Sequence, residues 1–102
     1  MYTEILKLKE MLEKVNIPFE WKENHFDGFH LIYSSEGKTT CSVVEFNGSY
    51  GSSSDLLEIM GLMTEKEKQE TEDDVLGWLT AEDVFNRIKS HWESVQRETA
   101  AK

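Results

Sequence analysis

Two tight-turn signals, Asp27-Gly28 and Glu36-Gly37, divide residues 19–46 into three short runs rich in aromatic and β-branched side chains. Asp-Gly is a strong hairpin signal because the favoured two-residue turn needs positive φ at its central positions. The spacing predicts strands over residues 19–26, 29–34 and 39–46, joined as a three-stranded antiparallel meander. With two-residue loops at both turns, one face carries Phe19, Trp21, His25, His30, Ile32, Cys41 and Val43. The other carries Phe26, Phe29, Leu31, Tyr33, Val44 and Phe46. Both faces are then partly apolar, which predicts that helices or a partner cover part of each. One extra loop residue would invert the faces of the third strand.

Amphipathic helices flank the meander. Ile5, Leu8, Leu12 and Val15 recur at three and four residues over residues 3–15, with Met11 beside them and Glu4, Lys7, Lys9, Glu10, Glu13 and Lys14 on the wet face. Asn16-Ile17-Pro18 ends this helix, since a residue before proline avoids the α region. Near the other end, Thr80-Ala-Glu-Asp83 is a weaker form of the S/T-x-x-acid start signal. The last helix is expected over residues 81–96, with Val84, Phe85, Ile88, Trp92 and Val95 on its apolar face and His91 at the border. Residues 97–102 have no apolar anchor and read as a frayed tail.

Residues 47–63 join these parts. Gly48 and Gly51 allow positive φ in a Gly/Ser turn. Ser54 is placed as an N-cap, with Asp55 at the positive end of a short apolar helix made of Leu56, Leu57, Ile59 and Met60. So apolar a helix would be buried, and Gly61 would stop it. Thr64-Glu-Lys-Glu67 is a capping box opening another helical turn. A glycine-rich loop running into a helix can hold a phosphate. Here neither phosphate-loop spacing is present and Asp55 would repel an anion, so a turn feeding a core element is the better reading. Residues 75–79, Val-Leu-Gly-Trp-Leu, are too short for a helix and fit an extended piece laid on the sheet edge.

The predicted fold class is therefore α+β: a three-stranded antiparallel meander between an N-terminal and a C-terminal helix, with a short apolar helix between. The 102 residues suffice for one domain, over residues 1–96, and not for two. The lone Cys41 excludes an intramolecular disulfide and a cysteine-based zinc site, and reads as a small core residue. No signal peptide and no run of ~20 apolar residues is present, so a cytoplasmic protein is expected. The net charge is −9, from 20 acidic and 11 basic residues. That argues against direct binding of nucleic acid or an anionic membrane, which needs clustered Lys and Arg. It suits solubility or a basic protein partner.

The densest charge is in residues 65–74, where Glu65, Glu67, Glu70, Glu72, Asp73 and Asp74 face only two lysines. Such runs usually form a solvated surface, and the functional alternative is a docking patch for a basic partner. In the simple register His25 and His30 become cross-strand neighbours, the one pair that could hold a metal or move a proton. Two ligands do not make a zinc site, so neither metal nor cofactor is expected.

Several strings have a familiar look: Asp27-Gly28, Gly48-Ser-Tyr-Gly51, Leu56-Leu-Glu-Ile-Met-Gly-Leu62 and Leu76-Gly-Trp-Leu-Thr-Ala-Glu-Asp-Val-Phe85. Over most of residues 17–92 the chain resembles small uncharacterised proteins of phages and prophages of Gram-positive bacteria. The resemblance implies a setting, an accessory protein of a mobile element, and carries over no functional residues. With the acidic composition it favours a protein-binding module, one that docks on a basic groove of a nucleic-acid enzyme. The alternatives are an enzyme or metal protein using His25 and His30, and a homodimer formed through an uncovered sheet face.

Overall fold

Two helices and a five-stranded antiparallel sheet share one core. The computed structural model describes residues 2–25, 28–35, 37–46, 48–71 and 74–101. Phe26, Asp27, Glu36, Glu72 and Asp73 lie outside them, and so does the turn expected at Asp27. The elements are α1 (Thr3–Lys14), β1 (Glu20–His25), β2 (Gly28–Ser35), β3 (Lys38–Glu45), β4 (Leu57–Met60), α2 (Glu65–Glu70), β5 (Leu76–Leu79) and α3 (Ala81–Ala101). The strands lie in chain order, β1-β2-β3-β4-β5. Among the described residues no helix is long and apolar enough to cross a membrane.

The three-stranded meander is extended by two strands. The short helix expected over Leu56–Met60 is instead β4, a strand paired with β3 through Val43↔Ile59. A 3₁₀ turn over Ser52–Ser54 precedes it, closed by hydrogen bonds from the Ser54 and Leu56 N–H groups to the Gly51 carbonyl. In this run Leu57 and Ile59 are buried while Met60 is exposed, so the burial period is two. A four-residue apolar run does not reveal its period until a partner strand is present. Within residues 75–79, Leu76–Leu79 form the edge strand β5, the extended piece that their length implied.

The faces also differ from the simple register. In β1 the residue Asn24 is unpaired, because Glu23 faces Phe29 while His25 faces Gly28. In β3 Thr40 is unpaired, because Tyr33 faces Cys41 while Ser34 faces Thr39. Each bulge shifts the pairing by one residue, and a one-residue shift moves a strand's side chains to the other face. As a result Leu31 and Tyr33 join Trp21, Cys41 and Val43 on one side. Across the sheet from them, Lys22, His30, Ile32, Ser42, Val44, Glu58 and Met60 share the second face. The two-sided apolar sheet expected from the sequence is thus a cleaner one-sided core.

Helices α1 and α3 close that core. Ile5, Leu8 and Leu12 from α1 and Val84 and Ile88 from α3 are fully buried against Leu31, Tyr33, Cys41, Val43, Leu57 and Ile59. Phe85 and Trp92 pack at its margin. Asn16, with φ of 59°, ends α1 in the left-handed conformation typical of a residue just past a helix end, and the Ile17 N–H bonds back to the Leu12 carbonyl. The last helix extends to Ala101, beyond the end expected at residue 96.

Candidate functional site

The capping box at Thr64 is formed in full: the Glu67 N–H donates to Thr64 Oγ1 (3.1 Å) and the Thr64 N–H donates to Glu67 Oε1 (2.8 Å). It starts α2, a helix of 6 residues with none buried. So short a helix does not hold itself. Arg87 of α3 holds it, donating to Glu67 Oε1 (2.8 Å) and Oε2 (2.7 Å), to the Leu62 carbonyl (3.0 Å) and to Asp83 Oδ1 (3.3 Å). The two hydrogen bonds from Arg87 hold the Glu67 carboxyl down at about 2. The same partners raise the guanidinium.

The acidic run therefore splits into two kinds of residue. Glu67 is turned inward as the anchor of α2. Glu65, Glu70 and Asp74 are exposed, Asp74 with φ of 55°. Glu72 and Asp73 are outside the described residues. Replacing Arg87 by methionine is expected to cost about 2–3 kcal/mol. That is below the 3–5 kcal/mol of a wholly buried pair, because both side chains keep about a fifth of their surface exposed (18% and 23%). Urea melts of Arg87→Met, Glu67→Gln and the double variant check this, with a coupling energy of at least ~1 kcal/mol expected between two contacting charges.

A second set of carboxylates sits where two helices begin. Asp55 accepts from the Thr3 N–H (2.9 and 3.2 Å) and the Glu4 N–H (3.5 Å). Asp55 thus serves a positive helix end, as its place in the sequence suggested, but the helix is α1 and not one of its own. Glu4 Oε1 accepts from the Ala81 N–H at 2.8 Å, so the first turn of α1 caps α3 in turn. Beneath this knot lies Glu45 of β3, with 0% exposure and no hydrogen bond at ordinary distance to either carboxyl oxygen. Burial first, and then the facing Asp55 carboxylate, raise Glu45 to about 8; the backbone at Ile5 and Tyr2 works weakly against them. Burial works to raise Asp55 as well, but Glu45 and the Thr3 and Glu4 amides outweigh it and hold Asp55 low. Of the two facing carboxyl groups, Glu45 is thus the one that favours its proton and Asp55 the one that favours its charge.

The histidines do not form the expected pair. The Asn24 bulge places His30 opposite Lys22, and His25 opposite Gly28. His30 Nε2 lies 2.5 Å from Ser42 Oγ, a diagonal contact across β2 and β3. A serine and a histidine are two parts of a nucleophilic arrangement. The residues directly across the strands from this pair are Lys22, Val44, Ile32 and Met60. His91 Nδ1 lies 2.8 Å from the Tyr33 hydroxyl, which gives that fully buried tyrosine its hydrogen-bond partner. Burial pushes the Cys41 thiol up to about 12, which leaves it unreactive at neutral pH. Among the described residues no three His, Cys, Asp or Glu side chains converge as a metal-binding group.

What the sequence did not single out is the β4–β5 edge. Among the described residues five large apolar side chains are exposed, and three of them, Tyr50 (50%), Met60 (56%) and Trp78 (59%), belong to this edge and the loop on it. Glu58 is beside them, its Oε1 accepting from the Tyr50 N–H at 2.9 Å. The only sequence signal was the Gly77-Trp78 dipeptide in a short apolar run. No family model matches the chain, and no curated protein and no solved structure is significantly similar to it.

Proposed function

We propose that this chain is a protein-binding module that docks on a basic surface of another protein, of the kind a nucleic-acid enzyme presents in its groove. In the phage-type setting that the sequence resemblance implies, it acts as a small accessory protein on a host factor. The observation that carries the reading is the distribution of charge. The chain carries −9, and residues 58–79 hold seven acids against two lysines. Of these acids, Glu65, Glu70 and Asp74 are exposed, while Glu67 is committed to Arg87 and keeps α2 in place. A rigidly held acidic surface steers a basic partner into contact and makes association salt-sensitive.

The test is capture from a bacterial lysate by wild type and by a variant with Glu65, Glu70 and Glu72 changed to Gln and Asp73 and Asp74 to Asn. The variant is expected to fold as wild type does, since exposed like charges contribute little to stability. It should lose most of the captured partner, chiefly through slower association. Wild-type capture should fade as the Debye length shortens from ~10 Å at 0.1 M salt to ~3 Å at 1 M, and added duplex DNA should displace the partner. If both proteins hold the same partners with the same response to salt and DNA, the acidic surface only keeps the chain soluble.

A further inference from the structure

We propose that the β4–β5 edge, built from Trp78, Tyr50, Met60 and Glu58, is where this module takes an arginine side chain of its partner. The inference rests on the acidic-surface reading above and adds where, and by what contact, the partner is held.

Trp78 is the first reason. It stands in β5 with φ of 63°, in the left-handed region that bulky residues adopt only at a cost. The pairings Leu57↔Leu79 and Ile59↔Leu76 leave Gly77 and Trp78 as a bulge opposite Glu58. The neighbouring loop fixes the bulge. The Trp78 N–H donates to the Tyr50 carbonyl at 3.4 Å, and a Cβ on Gly77 would stand only 2.3 Å from the Tyr50 Cβ. The strand thus holds an indole in water, more than half exposed, where an ordinary strand residue would turn toward the sheet.

The surroundings point to the occupant. Glu58 places a carboxylate against the Tyr50 loop, and Asp74, exposed, lies two residues before β5. An exposed indole in a bulge opposite Glu58, on a chain of charge −9, suits a cation, and arginine better than lysine, because its planar and weakly hydrated guanidinium stacks on a ring while pairing with a carboxylate. A second copy of this chain fits less well, since each brings a charge of −9. Strand addition fits less well too, because β5 is four residues long and interrupted by its bulge, which blunts the edge as a ladder. The edge offers side-chain docking.

The probe is a short peptide of alternating arginine and glycine, beside the same peptide with citrulline for arginine. Binding is read by the three indole N–H resonances of the ¹⁵N-labelled protein, assigned with single Trp→Phe variants. The arginine peptide should shift the Trp78 resonance saturably and leave those of Trp21 and Trp92 in place. The citrulline peptide should do nothing. Trp78→Ala should weaken binding by about three- to tenfold, the size of one cation–π contact, without lowering the melting temperature, and Trp78→Phe should recover part of it. If the arginine peptide binds equally to Trp78→Ala and shifts other resonances, the edge is not the docking site, while the acidic-surface reading stands. If neither peptide binds, the arginine site is overturned, while the acidic-surface reading is decided separately by the salt- and DNA-dependent capture. If wild type self-associates in a sizing run and Trp78→Ala does not, the edge is an interface between copies and the proposal is overturned.

Discussion

Replacing Glu45 by glutamine is expected to stabilise this protein at neutral and mildly alkaline pH. The gain should grow from near zero at about pH 4 to roughly 2–4 kcal/mol at pH 8. Folding takes the Glu45 carboxyl from water to full burial against Asp55, which raises it from about 4.5 to about 8. A raised pKa means that the folded chain binds the proton more tightly than the unfolded one. The stability this confers is complete below the unfolded value and is lost as pH rises through the folded one. For Glu45 the window is pH 4.5 to 8, with a slope approaching ~1.4 kcal/mol per pH unit. Glutamine has nearly the same shape, carries no charge and has no such slope.

Glu67 acts in the opposite sense, since its carboxyl is held at about 2 by Arg87. Its contribution is present above the ordinary glutamate range and is lost as pH falls toward 2. Wild type should therefore be most stable near pH 4.5, the ordinary value where the two windows meet. Urea melts over pH 3 to 9 check both statements. Wild type and Glu45→Gln should converge at about pH 4 and separate above it. Parallel curves would mean that Glu45 is ionised in the folded protein.

The second large effect concerns Gly61, where β4 ends. Its φ is 103°, and a Cβ there would stand 2.1 Å from the Thr40 carbonyl oxygen. Thr40 is the unpaired residue of the β3 bulge, so Gly61 approaches the very backbone that sets the register of the sheet. Gly61→Ala combines a left-handed backbone position, costing ~1–3 kcal/mol, with an overlap against backbone that costs a similar amount. The expected loss is roughly 3–5 kcal/mol, a large share of the stability of a domain this size. Gly48→Ala separates the two causes. Gly48 has φ of 107° but nothing within 4 Å of its Cβ position. That variant should lose only the backbone part, ~1–3 kcal/mol. Equal losses in urea melts of the two variants would show that the contact with Thr40 contributes nothing.

The elements that form from their own residues were legible in the sequence. The three-and-four spacing of Ile5, Leu8 and Leu12, the stop at Asn16-Ile17-Pro18 and the Thr64/Glu67 box depend on contacts within a turn or two, and each is present where expected. The three long strands also stand where the turn signals place them. Register did not follow, because nothing local to Asn24 or Thr40 marks a bulge. The bulges bring Leu31 and Tyr33 to the side that Trp21, Cys41 and Val43 already occupy, beneath α1 and α3. The burial of Leu31 and Tyr33 exists only once the helices are in place. The same shift separates His25 from His30. The strand at Leu57–Met60 needed β3 beside it before its four residues had a period. Arg87 and Glu67 lie 20 residues apart, and Asp55 reaches Thr3 across 52. The sequence by itself determined the two long helices, the capped turn at Thr64 and the three long strands, because those choices rest on neighbours in the chain. Only the tertiary structure decided which face each strand buries and which carboxylates are neutral, paired or exposed, because those depend on groups that meet only when the chain is folded.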